Sequence, residues 1–336
     1  MNPFDDNTSS NLPQPIEEPS SESQEPLGDL AARIVVHSPE GGEHISGDPI
    51  SFVALSPPPP PADSFLPEDL RISWSWLHLL LFGLFSIGSL IAIQLAIVIY
   101  YAAGQHLTQK QMEQIFQTKP EVAVGSNVAW FFLIFLFLYV TLAVLRDRPF
   151  WPTVGWKKLR PEAHAPSNPW LYFLGGIGLA ICVGLVNLFV KPPEHLPIED
   201  LFKSRAGAIL LMTMAVFVAP LVEETVFRGY LYPLFASSFS RVAVKFGANS
   251  ASAVRTGTAL AIGLTGVLFG LMHGAQLGWT WGLVSTLITV GIIFTFARAR
   301  AGTVLASFLM HFGYNSMIAF SAIVSTHGFT RMPPHP

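Results

Sequence analysis

Seven stretches of apolar residues, near 75–101, 123–145, 170–190, 206–238, 256–275, 278–297 and 303–325, constrain this chain more than any other feature. Each approaches or exceeds the roughly 20 residues that a helix needs to cross the hydrocarbon core of a bilayer. Hydrocarbon offers no water to orphan backbone N–H and C=O groups, so such segments must be helices rather than open strands. Composition agrees: 51% of the 336 residues are apolar and 12% are charged, the latter about half the share usual in soluble domains. A soluble core can be this apolar overall, but it does not gather its apolar residues into runs of spanning length. The expectation is an all-α polytopic bundle of about seven transmembrane spans.

The charge is unevenly placed. Thirteen of the 22 acidic residues precede Arg71, and after Asp200 only Glu223 and Glu224 remain. Residues 1–74 are acidic and rich in Pro and Ser, with a stiff run from Pro57 to Pro61. Such a composition buries too little apolar area to offset chain entropy, so most of this tail is expected to be disordered. The stretch Ala32–His37 could form one strand. The N-terminus has neither the basic flank nor the apolar run of a signal peptide, so insertion is expected to start from an internal helix. The organisation expected is a tail at 1–74, first helices at 75–204, a helical core at 205–325 and a C-terminal tail at 326–336. No basic domain exists, which argues against a nucleic-acid partner. The one cysteine, Cys182, reads as a small core hydrophobe.

Basic residues suggest a topology. Arg146, Arg148, Lys157, Lys158 and Arg160 follow the second segment, Arg241, Lys245 and Arg255 follow the fourth, and Arg298 and Arg300 follow the sixth. These connections share one side of the membrane. The opposite side has Lys110 and Lys119 after the first segment, and Lys191, Lys203 and Arg205 after the third. Because basic loops stay in the cytosol, the N-terminal tail is placed inside and the C-terminus outside the cell membrane. Trp74, Trp76, Trp151, Trp156 and Trp170 flank the first three segments as interfacial anchors would.

Ionised carboxylates in hydrocarbon cost at least a few kcal/mol, and adjacent ones raise each other's pKa. The fourth segment nevertheless reads Pro220-Leu221-Val222-Glu223-Glu224-Thr225-Val226-Phe227-Arg228-Gly229. Glu224 and Arg228 are four apart, share a helix face and can pair. Glu223 is rotated by about 100° and left without that partner. A carboxylate held there can take a proton from water, and Pro220 loosens the backbone just before it. His273 ends the run Phe269-Gly270-Leu271-Met272-His273 in the fifth segment. His311 and Asn315, again four apart, lie in the seventh. The plainer alternatives are a structural Glu224–Arg228 pair and a His311–Asn315 pair acting as interhelical glue. Six such residues on three helices favour a functional site.

A depth argument links these elements. Glu223 lies 18 residues from Arg241, and His273 lies 18 from Arg255. At 1.5 Å per residue both sit about 27 Å from the same face. His311, 11 residues from Arg300, would be shallower by about 10 Å, a gap that a tilt or a deeper start of its helix must close if it is to meet the others.

Glu-Glu-x-x-x-Arg at 223–228, Phe-x-x-x-His at 269–273 and His-x-x-x-Asn at 311–315 resemble the three motifs of the CPBP family, which covers type II CAAX prenyl proteases and bacteriocin-processing enzymes and is also called the ABI family. The resemblance covers about residues 205–325. It implies a bundle enclosing a polar cavity and hydrolysis of a peptide bond by water activated by Glu223 together with His273. It also implies oxyanion stabilisation by His311 and Asn315, with Arg228 holding Glu224. The implied substrate is a membrane-associated peptide, including one with a prenylated C-terminus. The family is commonly called a metalloprotease family. Glu223, His273 and His311 suit zinc, and the same residues permit a metal-free glutamate mechanism. Other intramembrane protease chemistries fit poorly: the chain has no His-Glu-x-x-His, no Gly-x-Ser-Gly in a membrane segment and no Asp within one.

Two other functions compete, a non-catalytic immunity or scaffold protein of the same fold and a proton-coupled transporter. A scaffold needs no complete set of site residues. A transporter more typically shows an internal repeat or paired broken helices. One tension stands: a prenylated C-terminus is cytosolic, whereas this topology puts Glu223 and His273 toward the outer half.

Overall fold

A computed structural model describes residues 63–105, 119–161, 165–190 and 204–330. The described residues form an all-α bundle in which seven helices are long and apolar enough to cross a membrane. They are α1 (Trp76–Gln105), α2 (Pro120–Leu142), α3 (Pro169–Asn187), α4 (Arg205–Lys245), α5 (Ser250–Met272), α6 (Trp281–Ala301) and α7 (Val304–Ser325). Among the described residues there is no strand. The expected strand at 32–37, the tail up to residue 62 and residues 331–336 lie outside the described residues.

The helix starts follow from local chemistry. Lys119 precedes Pro120 and Asn168 precedes Pro169, and a proline in the first turn forfeits only an N–H that has no helical partner. Asn168 caps α3 through Trp170 N at 3.0 Å, Asn249 caps α5 through Ser252 N at 2.9 Å, and Thr303 caps α7. Each replaces one orphan donor's lost partner. Gly302, at φ +67°, turns the chain sharply between α6 and α7.

Hydrophobicity here faces outward as well as inward. α1 exposes Leu77, Leu80, Leu84, Ile87, Ile91 and Leu95, a continuous apolar surface that only lipid covers comfortably. Cys182 is exposed too. The expected core position is thus corrected: its apolar neighbourhood is the outside of α3. Of the five tryptophans read as interfacial anchors, Trp76, Trp151 and Trp170 are exposed, but Trp74 is buried.

Trp74 belongs to a strap, residues 63–74, which composition groups with the disordered tail. Leu66, Leu70 and Trp74 bury themselves in the main core with Phe82 of α1, Leu138 of α2 and Leu234 of α4. Three carboxylates fasten the strap to basic helix ends and loops: Asp63 to Arg241 at 2.8 Å, Glu68 to Lys157 at 2.7 Å and Asp69 to Arg298 at 3.0 Å. A window dominated by Pro and acidic residues hides this, because three apolar anchors suffice once they have a groove to enter. The hydrogen bond from Arg241 holds the Asp63 carboxyl below its ordinary 3.8, and that from Lys157 holds Glu68 below its ordinary 4.5. Both pKa values are depressed by folding. The strap's electrostatic anchorage is therefore complete above the unfolded values and is lost as pH falls through the folded ones. Protection of residues 63–74 against hydrogen exchange should be flat near neutrality and fall below about pH 4. Unchanged protection in that acid range would show that the apolar anchors act alone.

α3 and α7 touch backbone to backbone. A Cβ on Gly176 would collide with Met310 O, and one on Gly313 with Phe173 O. Small residues permit such approach in membranes, where dispersion rather than water exclusion drives packing. Gly313→Ala should lower stability by about 1–3 kcal/mol through overpacking, read as a lower melting temperature in detergent. α5 and α6 meet in the same way: Gly266 and Gly270 face Ile292 and Ile288. These two contacts fix the helices that carry His311, Asn315 and His273.

Candidate active site

α4 carries the carboxylates and is not uniformly α-helical. It widens to π-helix over Met214–Val218 and again over Thr225–Leu231, on either side of α-helical Ala219–Glu224. Each wide stretch precedes a proline, Pro220 or Pro233. A proline has no N–H for the carbonyl four residues back, and its ring crowds that carbonyl. The carbonyls concerned belong to Val216 and Gly229, and both lie inside a π stretch. Widening the turn relieves the clash and shifts the register of the next turns of helix. Outside groups meet the widened stretch: Trp74 Nε1 donates to the backbone at Tyr230 O at 3.2 Å and Trp156 Nε1 to the Thr225 hydroxyl at 3.0 Å. Trp74 and Trp156 thus support α4 rather than anchor the chain at an interface. His78 bridges nearby, between Tyr230 Oη at 2.7 Å and Thr141 Oγ1 at 2.9 Å. Because Thr141 already donates to Phe137 O, His78 Nε2 donates to Thr141 and Nδ1 accepts from Tyr230. That bridge ties α1, α2 and α4 together.

The Glu224–Arg228 pair expected from spacing forms, with Arg228 Nη1 to Glu224 Oε1 at 2.8 Å and both side chains fully buried. Arg228 is satisfied from three sides. Its Nη2 donates to Gly291 O at 3.0 Å and its Nε to Thr295 Oγ1 at 3.2 Å, both on α6. Its guanidinium also lies 4.4 Å from the Phe269 ring centroid and 5.5 Å from that of Phe294, a favourable cation–π arrangement when water is absent. The planar fork makes this possible, and lysine could not replace it.

His311 occupies the other side of the same carboxylate. Its Nδ1 stands 2.9 Å from Glu224 Oε1. An ionised carboxylate only accepts, so the hydrogen-bond network assigns the Nδ1 proton to His311 and directs Nε2 away from Glu224. That Nε2 lies 3.8 Å from Glu223 Oε2, which accepts no hydrogen bond from the protein. Phe294 and Phe269 wall the imidazole at centroid distances of 5.0 and 5.7 Å. The adjacent glutamates therefore have different surroundings. Arg228 and His311 both hold Glu224 through Oε1, and Oε2 of each glutamate accepts no hydrogen bond from the protein; of the two, Glu223 is the one that lines the cavity.

Glu223, His273, His311 and Asn315 all line one cavity of about 590 Å³, within the range of small-molecule and peptide-side-chain sites. Glu224 and Arg228 stand behind its wall. His273 caps the end of α5, and its Nδ1 donates to Phe269 O at 2.8 Å, leaving Nε2 as an acceptor. Asn315 spends one N–H on Ala215 O of the first π stretch at 2.7 Å, which leaves a second. The histidine in contact with the carboxylates is His311.

The expected 10 Å shortfall in His311's depth does not occur, because the basic residues do not mark one plane. The turn into α7 is buried: Thr303 is 1% exposed, its hydroxyl donates to Lys157 O at 2.6 Å and Val304 N donates to Gly155 O at 2.9 Å. α7 thus begins inside the fold. Arg298 is also buried, and α4, at 41 residues, is longer than a bilayer requires.

Sequence reasoning missed Thr295, Gly291 and Phe294, which hold Arg228 and His311. A threonine and a glycine in an apolar helix carry no chemical signature, so only contact identifies them. As for a metal, no group of three or more His, Cys, Asp or Glu side chains among the described residues is arranged to hold one. Glu223, His273 and His311, the set suggested by composition, are not so arranged, and Glu224 is committed to Arg228 and His311.

Residues 205–317 match the family model described as type II CAAX prenyl endopeptidase, Rce1-like. No curated protein and no solved structure matches the chain. All six polar residues of the site fall within the matched span, as do the two π stretches that set their register. From residue 205 to residue 317, then, this integral membrane protein is similar to the Rce1-like type II CAAX prenyl endopeptidases.

Proposed function

We propose that the chain is an intramembrane endopeptidase of the cell membrane, which hydrolyses a peptide bond of a membrane-associated substrate with water activated by Glu223. One observation carries this reading: Glu223 Oε2 is shielded, accepts no hydrogen bond and faces His311 Nε2 at 3.8 Å inside the cavity. Arg228 and His311 hold Glu224 in the fully buried wall, whereas Glu223 lines the cavity, so Glu223 is the carboxylate that a cavity water can reach and that can act as a base. Water held by Glu223 and by the acceptor nitrogen of His273 attacks the scissile carbonyl carbon. The C–O bond forms as Glu223 takes the proton. The C–N bond then breaks, and Glu223 returns the proton to the departing nitrogen. The second N–H of Asn315 and a protonated His311 Nε2 stabilise the oxyanion, a role suited to donors fixed in advance in a dry site.

The family description makes a fluorogenic peptide with a prenylated C-terminus the first probe. Purified full-length protein in detergent should cleave it, and Glu223→Ala and His273→Ala should both lose most of the rate. Equal rates from all three proteins would remove the enzyme reading. A chelator should leave the rate unchanged, whereas a loss restored by zinc would replace the metal-free mechanism with a metal-assisted one.

A further inference from the structure

A second cavity, of about 230 Å³, shares no lining residue with the one that holds Glu223. Its walls are the strap, the connection between α2 and α3, the second half of α4 and the last turn of α6. Four cations line it, Arg71, Arg148, Lys157 and Arg298, against two carboxylates, Glu68 and Asp69. Glu68 balances Lys157 at 2.7 Å and Asp69 balances Arg298 at 3.0 Å. Arg71 gives its Nε and Nη2 to the neutral carbonyls of Leu66 and Ser64, at 2.8 and 3.0 Å. The exposed Arg148 side chain makes no ion pair among the described residues. Two positive charges are thus left over. Two polar atoms are unserved as well: Ser73 Oγ and Arg298 Nε are shielded and meet no hydrogen-bond partner in the protein, although Arg298 is only 1% exposed. The Arg298 guanidinium lies against Gly155, another lining residue, where a Cβ would stand 3.0 Å from Nη2. A shielded donor without an acceptor costs free energy, and an anion with several oxygens can serve donors on different walls.

We infer that this cavity binds a phosphate group, which ties the strap to the bundle. Three of its four cations are arginines, whose planar forks match phosphate oxygens, and hydrogen bonds between charged partners are the strong ones. The volume lies below the roughly 300 Å³ at which drug-sized sites begin, so a small, densely charged group fits it. A metal cation is disfavoured, because both carboxylates are already paired. Two sources carry such a group, free phosphate in solution and the headgroup of an anionic lipid. Val144, Leu145 and Trp151 are exposed on either side of Arg148, as in a stretch lying at headgroup depth, which puts a lipid phosphate within reach. Trp74 of the strap donates to Tyr230 O on α4, so an occupant that fastens the strap also braces the helix that carries the glutamates. The inference stands apart from the peptidase reading, since it invokes none of the site residues.

Thermal unfolding of the full-length protein tests it, in phosphate-free buffer and a detergent without a phosphate group. Inorganic phosphate should raise the melting temperature more than sodium chloride at equal ionic strength, and the rise should grow with concentration as for a ligand that binds only the folded chain. A parallel arm compares nanodiscs of phosphatidylcholine with and without phosphatidic acid. A response to inorganic phosphate marks a site for the free group, and a response to phosphatidic acid alone marks a headgroup site. Arg148→Gln and Ser73→Ala remove groups that make no ion pair or hydrogen bond across the cavity, so both should unfold like the native chain without ligand. Arg148→Gln should demand about tenfold more ligand for the same rise, the worth of one charge-assisted hydrogen bond, and Arg148→Lys should recover part of that loss. Ser73→Ala should weaken the response by a smaller factor and serves as the second variant. A melting temperature that rises no more with either ligand than with its control would overturn the phosphate site. So would a response that both Arg148→Gln and Ser73→Ala keep in full.

Discussion

Glu223→Gln should lower kcat/KM for peptide cleavage by about 100- to 10,000-fold, the usual worth of a positioned general base, while the melting temperature stays at or above that of the native chain. The separation of effects is the informative part. Glutamine keeps the volume of glutamate but cannot take a proton from water. No hydrogen bond from the protein to Oε2 is lost, because none is made. Removing a charge beside Glu224 also relieves like-charge repulsion across the shared site. The measurement is steady-state cleavage beside thermal unfolding of the same preparation. A variant that unfolds early, or one that keeps more than about a tenth of the native rate, would move the base elsewhere.

Arg228→Met should act in the opposite way, chiefly on stability. It leaves Glu224 charged and fully buried, with one of its two partners gone, and breaking a buried pair costs about 3–5 kcal/mol. The loss also removes one of the two side-chain donors on Gly291 O, which receives Arg228 Nη2 at 3.0 Å and Thr295 Oγ1 at 2.7 Å. The double variant Glu224→Gln/Arg228→Met removes both charges and keeps an acceptor for His311 Nδ1, so it should recover a large part of the lost stability. Thermal unfolding in one detergent compares the three proteins. Equal melting temperatures for Arg228→Met and the native chain would mean that Arg228 is not what holds α4 against α6.

Much of this site is legible in the amino-acid sequence because its residues are chemically out of place. A carboxylate pair, an arginine and two histidines stand out in apolar helices, where each costs free energy unless it is paired or useful. Spacing by four correctly joins Glu224 to Arg228. For His311 and Asn315 it gives a shared face rather than a mutual bond, and their hydrogen bonds run to Glu224 and Ala215 on α4. Shared faces say which residues can meet, and the partner is decided by the side chains that the neighbouring helix presents.

The sequence by itself determined the seven helices, the burial of charge in the fourth and the identity of the polar residues, since hydrocarbon enforces all three through unsatisfied backbone and desolvated charge. Only the tertiary structure decided that residues 63–74 fold onto the bundle, that α7 begins below the surface and that, between π turns ahead of Pro220 and Pro233, Glu224 meets Arg228 and His311 while Glu223 lines the cavity. Those outcomes depend on the distance between helix backbones. That distance is set by glycines at contacts such as Gly176 with Met310 and Gly313 with Phe173, and helix-to-helix spacing is a property of pairs of surfaces rather than of either segment alone.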